Sequence, residues 1–310
     1  MQYHRRVASV PQVIGLGHVT CDVICPLNGW PEVDTKTIIP GIRLAGGGPT
    51  ANAMAALAKL DVPCGLAGKL GDDVLGRYTL DTHAREGIDT SRIVVSADTI
   101  SPVSIILSDL AAGTRTILLT KGEQTTLQPE ELDWDWLRQA RVIHLDGHQI
   151  PASLALAREA RAWPAVSVVL DAGSMREGML ELCGLCDVVI ASQRFIRQLT
   201  AAEVSQQRLA ALHATGAPQV GITLGAGGSV FSDGKQHYFQ PAFEVPVQDT
   251  TGAGDAYHGG FIYGMLSGLA PQECMRVASA VATLKCRGLG ARETLPTAAE
   301  LQEFLAGHYN

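Results

Sequence analysis

The chain has 310 residues and a formal charge of −7, from 24 Lys plus Arg against 31 Asp plus Glu. It is long enough to bury one large core, and its mean field repels nucleic acid and acidic membrane surfaces. No basic run exceeds Arg5-Arg6, no apolar run approaches membrane-spanning length, and seven scattered cysteines suggest reduced buried thiols, so the expected location is cytoplasmic.

In chain order, residues 1–11 carry His4, Arg5 and Arg6 without an apolar signal region and are expected to form a flexible tail. Gln12-Val13-Ile14-Gly15-Leu16-Gly17 reads as a buried strand ending in a tight turn. A dinucleotide fingerprint would need a third glycine at Thr20 and a following helix; neither is present, which weakens a nicotinamide-dependent oxidoreductase. Residues 22–25 and 36–39, punctuated by Pro26, Asn28, Gly29, Pro31, Pro40 and Gly41, predict short strands, and 103–110 with 115–120 predict a hairpin. Together, 18–45 and 99–121 are expected to form a small β-sheet lid.

The remaining residues, 12–17, 46–98 and 122–310, alternate between helical and strand patterns. Helices are predicted over 50–60, 74–86, 129–139, 152–161 and 201–213, and strands over 64–68, 142–145, 166–170, 187–191 and 219–224. Helices beginning at Gly252 and Pro271 close the chain. This alternation predicts an α/β fold: a three-layer α/β/α body with a mainly parallel central sheet, whose ligands gather at the carboxyl ends of the strands.

Several places could carry chemistry. Asp22 and Asn52 offer a paired acceptor and donor for neighbouring hydroxyls, or else a turn acid and a helix cap. Gly46-Gly47-Gly48 can bend sharply between lid and body or let backbone approach a ligand. Strand alternation would put His144, Asp146 and His148 on one face; a metal set there is incomplete, and Asp146 or His148 facing the cleft is the better reading. Cys183-x-x-Cys186 has no second pair to complete a zinc site. Thr223-Leu224-Gly225-Ala226-Gly227-Gly228 is a strand entering a Gly-rich turn. Lys36 and Lys121, in the expected lid, could meet a substrate or phosphate oxygen on closure or remain solvated.

The most informative stretch is Asp249-Thr250-Thr251-Gly252-Ala253-Gly254-Asp255. Apolar residues at Ala253, Tyr257, Phe261, Ile262, Met265, Leu266 and Leu269 fall on helical spacing, so a helix begins at the glycines, with Thr250 or Thr251 as its N-cap. Free N–H groups of Gly252, Ala253 and Gly254 could hold a phosphoryl group as charge builds on it, while Asp255 takes a proton from a hydroxyl. A glycine-rich cap with one dipole-complementing acid would explain Asp255 but not the second acid, Asp249.

This stretch resembles the carboxy-terminal D-T-x-G-A-G-D signature of the ribokinase-like (PfkB) carbohydrate and nucleoside kinases. Gly46-Gly47-Gly48-Pro49-Thr50-Ala51-Asn52-Ala53, about two hundred residues earlier, resembles their amino-terminal signature. The resemblance implies an ATP-dependent sugar kinase with Asp255 as base and Gly252 to Gly254 as anion hole. Asp22, Gly47, Gly48 and Asn52 would be sugar contacts, and Thr223, Gly225, Gly227, Gly228 and Thr251 nucleotide contacts. Mg2+ would ride on ATP, with Asp249 placing it or a monovalent cation such as K+. A homodimer through the lid is expected. A nucleoside kinase, or a non-catalytic nucleotide or sugar sensor, are the alternatives. The family's N-x-x-E motif is replaced by Ser192-Gln193-Arg194-Phe195. Segments 113–118, 143–147 and 281–286 resemble ketohexokinases and sulfofructose kinases. Pro49 and Gly122 depart from the former, and no basic residue is evident near His148 as the latter would require.

Overall fold

The computed structural model describes residues 10–109, 112, 114–120, 122 and 125–308. The expected tail therefore lies almost wholly outside the described residues, as does Lys121. The elements in order are β1 (Val13–Leu16), β2 (Thr20–Leu27), β3 (Arg43–Gly47), α1 (Pro49–Lys59), β4 (Cys64–Gly71), α2 (Val74–Arg85), β5 (Asp89–Ser96), β6 (Val103–Asp109) and β7 (Thr114–Thr120). There follow α3 (Trp134–Leu137), β8 (Val142–Leu145), α4 (Ile150–Ala160), β9 (Ser167–Ala172), α5 (Met179–Leu185), β10 (Val188–Ser192), α6 (Gln193–Leu199), α7 (Ser205–His213) and β11 (Gln219–Thr223). The chain closes with β12 (Ser229–Ser232), β13 (His237–Gln240), α8 (Ala253–Leu266), α9 (Pro271–Lys285) and α10 (Ala298–Ala306).

Nine strands form the large sheet in the order β13-β12-β11-β10-β9-β8-β1-β4-β5, all parallel except β12, which runs antiparallel to both of its neighbours. Successive residues of each central strand feed opposite cores. Val13, Val142, Val169 and Val188 face the core under α1, α8, α9 and α10, whereas Ile14, Ile143, Leu170 and Val189 face that under α4, α5, α6 and α7. Burial on both faces explains why these strands read as unbroken apolar runs. Cys183 and Cys186 are buried in the second core, where burial pushes the Cys183 thiol up to about 12.

The helices on the first face come unusually close. A Cβ on Gly259 of α8 would lie 2.8 Å from Ala56 Cβ and 2.9 Å from Ala53 O of α1; one on Gly260 would lie 2.8 Å from Ala278 Cα of α9. Only glycine permits these approaches. They wedge the amino-terminal half of α8 between α1 and α9.

The second sheet has four strands in the order β3-β2-β6-β7, with β2 parallel to β6 and the outer pairs antiparallel. The strand predicted over 36–39 is absent: that segment is irregular and Ile38 is 99% exposed. Its place beside β2 is taken by Arg43–Gly47, so Gly46 and Gly47 belong to the small sheet. The helix predicted over 129–139 is broken, because Leu132 is extended and the Asp133 side chain caps the short α3 through Trp136 N. Sequence reading missed β5, α5, α6, β12, β13 and α10.

Gly48 joins the two sheets with φ 105° and ψ 140° as it enters α1, and a Cβ there would sit 2.0 Å from His18 O. Gly48→Ala is expected to cost about 1–3 kcal/mol, seen as a lower urea midpoint. An unchanged midpoint would show that the junction relaxes freely.

Candidate active site

The parallel strands of the large sheet end along one edge. Leu16 of β1 pairs with Leu145 of β8, Leu145 with Leu170 of β9, Ile190 of β10 with Asp171, and Ser192 with Thr223 of β11. That register lines up Gly17, Asp146, Asp171, Ser192 and Thr223, where a doubly wound sheet collects its ligands. The amino terminus of α8 and the amino-terminal half of α1 meet above this edge, which brings Asn52 and Asp255 together.

Asn52 Nδ2 donates to Asp255 Oδ2 at 2.6 Å. The other end of the amide is also fixed, since Asn52 Oδ1 accepts from Arg292 Nε at 2.6 Å. Arg292 is buried, and its Nη1 reaches Glu86 Oε2 at 2.6 Å and His83 Nδ1 at 2.9 Å, both from the carboxyl end of α2. The amide therefore offers only its NH2 group toward Asp255. Arg292 escaped sequence reading because nothing local marks it.

Asp22, in β2, is buried against Gly47, where a Cβ would fall 2.1 Å from its Oδ1. Burial raises its carboxyl above the usual range, partly offset by the Thr20 hydroxyl at 2.8 Å and by the charge of Arg292. Gly46 lies against His83 and Arg292. The acceptor residues expected from the two signatures thus share one buried charge network.

The Asp255 carboxyl is pushed up to about 7, first by burial and then by the negative charge of Asp171; Asn52 and His258 oppose that rise. Beneath it, His258 Nε2 lies 3.3 Å from Asp171 Oδ1, and the His258 ring is 5.3 Å from that of His144. Burial alone would lower His258, but the Asp171 carboxylate carries it above its ordinary value. This carboxylate–imidazole pair was not legible in sequence. His258 follows Asp255 by three residues in the same helix, and Asp171 ends a strand with no motif.

The expected one-face triad of His144, Asp146 and His148 does not form. Strand β8 stops at Leu145, and Gly147, with φ 66°, turns the chain away. Asp146 instead accepts backbone N–H groups from His18 and His148, both at 2.9 Å. His148 stacks on His18 at 4.8 Å, and its Nε2 accepts from Arg176 Nη2 at 2.9 Å. The basic group not evident near His148 in sequence is Arg176, delivered by the β9–α5 connection.

The signature turn departs from its sequence reading in two respects. Neither threonine caps α8; the N-cap is Gly252, with φ 73°. Thr251 turns inward, its N and Oγ1 both donating to Asp249 Oδ1 at 2.8 and 2.7 Å. Ala253 N donates to Thr250 O at 3.1 Å, which removes it from the anion hole, and Ala256 N begins the helical ladder on Gly252 O. Helix geometry leaves the Gly254 and Asp255 N–H groups as first-turn donors. Gly254 is exposed, and a Cβ there would meet nothing within 4 Å. From the small sheet, Arg115 Nη1 donates to Thr250 Oγ1 at 3.0 Å.

Thr223 ends β11, its hydroxyl within 3.5 Å of Ala191 O. Gly225–Gly227 form an exposed 3-10 turn closed by Leu224 N to Gly228 O at 2.8 Å. Ser192 caps α6 through Phe195 N, and Phe195 is completely buried in the core, so no acid occupies the N-x-x-E position. Lys36 lies exposed in the irregular stretch between β2 and β3. Among the described residues, no group of three or more His, Cys, Asp and Glu could hold a metal ion, and none of their helices is long and apolar enough to cross a membrane.

A three-layer α/β body with a small second sheet and an acid in the first turn of a glycine-capped helix defines the ribokinase-like class. The chain belongs to the pfkB family of carbohydrate kinases, whose model matches residues 11–298. An ATP-dependent ribose-1-phosphate kinase from Halopiger xanaduensis is 30% identical over 311 residues, covering 96% of this chain and 99% of its own. A ribokinase from Arabidopsis thaliana is 30% identical over 306 residues, covering 93% and 79%. The structure of an Arabidopsis thaliana ribokinase complexed with ribose and ATP superposes with a TM-score of 0.84 at 23% identity, covering 97% of this chain and all of that one.

The raised Asp255 carboxyl has a consequence for stability. Folded Asp255 keeps its proton to about 7, whereas an unfolded Asp releases it near about 3.9. Between those values the folded state binds more protons, so this group's contribution is whole in acid and is lost as pH rises through about 7. Asp255→Asn is expected to be more stable than wild type at about pH 8, by on the order of 1–3 kcal/mol, and nearly equal at about pH 4. Urea unfolding at both pH values checks this; no gain in base would show that burial does not penalise the carboxylate.

Proposed function

We propose that the protein transfers the γ-phosphoryl group of ATP to a hydroxyl of a small carbohydrate, with Asp255 as the general base. The carrying observation is the Asp255 carboxyl itself, held near 7 in the first turn of α8 and hydrogen-bonded to an Asn52 amide that Arg292 keeps in one orientation. A base poised near neutral pH is unprotonated often enough to act and basic enough to accept a proton. In a loose transition state the hydroxyl loses its proton late, so positioning supplies most of the acceleration. Asp22 and the Asn52 NH2 group orient the sugar. The Gly254 and Asp255 N–H groups, at the positive end of the α8 dipole, meet the charge developing on the phosphoryl oxygens.

The nucleotide belongs along the carboxyl ends of β10 and β11, with the exposed turn from Gly225 to Gly228 beside its phosphates. The described residues offer no dedicated cage for Mg2+. Asp146 is occupied by backbone N–H groups and Asp171 by His258. Mg2+ therefore fits as a companion of ATP that keeps most of its waters, and when bound it neutralises phosphate charge. His148 with Arg176 provides the place where an acceptor bearing an anionic group would be met. This suits the phosphorylated sugar named for the Halopiger relative, which we therefore include among the candidate acceptors.

The small sheet acts in this reading as a lid. Arg115 links it to Thr250, directly above the phosphoryl site. It also serves as a dimer surface: β7 is an edge strand whose residues are all exposed, Ile117, Leu118 and Leu119 among them, and a second copy would pair with it. Ile117→Lys combined with Leu119→Lys is expected to sediment as a monomer where wild type sediments as a dimer. A monomeric wild type would remove the dimer.

ATP consumption with Mg2+ against ribose, deoxyribose, ribose 1-phosphate, ketoses, other aldoses, sugar acids and nucleosides tests the main proposal. One acceptor should be turned over, with kcat falling as pH drops through about 7 as Asp255 takes up its proton. Asp255→Asn should bind ATP and acceptor yet lose at least about 10²-fold in kcat; turnover near wild type would remove Asp255 as base. ATP binding without turnover of any compound would point to a sensor.

A further inference from the structure

Lys285, the last residue of α9, is completely buried, and its ammonium donates to Asp249 O at 2.6 Å. Burial pulls its proton affinity below the ordinary lysine range, while the nearby Asp249 charge acts in the opposite direction. Other groups whose charge bears on it are Cys286, Arg115 and Glu293. A buried ammonium carries a desolvation cost of several kcal/mol before its partners are counted. It stands behind the turn that presents the amino terminus of α8.

The oxygens of Asp249 are already committed. Its carbonyl accepts from Lys285, Oδ1 from Thr251 N and Oγ1, and Oδ2 from Gly290 N at 2.8 Å. A potassium or magnesium ion bound to Asp249 would have to displace those donors while resting against an ammonium group. The residues present do not fit the cation that the family resemblance suggested for this position.

We propose that the Lys285 ammonium is this protein's own monovalent cation, tethered in place, and that it holds the Asp249 turn so that the first turn of α8 is formed without potassium. An ammonium group has the charge of a potassium ion and a similar size, and it supplies directed hydrogen bonds. Its attachment to α9 makes its local concentration independent of the medium. The surrounding backbone already ties turn and helix together. Cys286 O accepts from Gln248 N at 2.9 Å and from Asp249 N at 3.4 Å, and Gly252 packs on Ala291. Lys285 is thus a positioning residue, acting on the phosphoryl site through the turn.

The kinetic part of this inference depends on the phosphotransfer reading; the structural part does not. The experiment compares wild type with Lys285→Met in choline chloride and in potassium chloride at about 0.1 M each, where screening is equal. Thermal midpoint and turnover are both read. Wild type should give the same midpoint and turnover in either salt. Lys285→Met should lose at least about tenfold in turnover in choline, as when an anion-hole donor is misplaced, and regain several-fold in potassium. Its midpoint should rise in potassium alone. Potassium activation of wild type would overturn the proposal. So would full turnover of the variant in choline, or a loss that potassium does not reverse, which would mark Lys285 as a plain structural tether. If the variant does not fold, the wild-type comparison decides; if no acceptor is turned over, the midpoints still do.

Discussion

The site depends on how closely α8 approaches α1 and α9. Because Gly259 and Gly260 carry no side chains, α8 lies in backbone contact with Ala53 and Ala278, and that distance brings Asn52 within a short hydrogen bond of Asp255. A methyl group at either glycine would force the helices apart, and positioning is the principal means of accelerating phosphoryl transfer. The glycines in the middle of α8 are therefore a packing device that sets the position of its ligand-facing first turn.

The second organising feature is the management of charge in a chain with net negative charge. Asp146, Asp171 and Asp255 crowd the ends of neighbouring elements, and their environments separate them. Asp146 is held ionised, despite burial, by the neighbouring His148 imidazole and the N–H groups of His18 and His148. Asp171 is held ionised, also against burial, by His258. Asp255, whose hydrogen-bond partner among the described residues is the Asn52 amide, retains its proton longest. Three like groups thus take different roles according to what each touches, the arrangement from which acid–base assignments are read.

Much of this was legible in sequence, and the rest was not for identifiable reasons. The doubly buried strands declared themselves as apolar runs, and the Asp249 to Asp255 stretch gave both the helix and the acid. The threonine caps failed because Asp249 outcompetes the helix for Thr251, a contact fixed by local backbone path and not by residue type. Ala253 N, expected to be free, instead donates to Thr250 O, a contact set by the same turn. Arg292, Asp171 and Arg176 stayed hidden because their partners lie far away in sequence, and His258 because its neighbour Asp171 does. The strand expected over 36–39 failed because that tract found no pairing partner, Arg43–Gly47 pairing with β2 in its place.

Phe195 bears on what this position can hold. Its aromatic ring has no exposed surface and is packed among core side chains of β10, α6 and their neighbours. A glutamate there would bury a carboxylate among apolar side chains and fill the ring's space incompletely, so an acid could occupy this position only with changes in the residues packed around it.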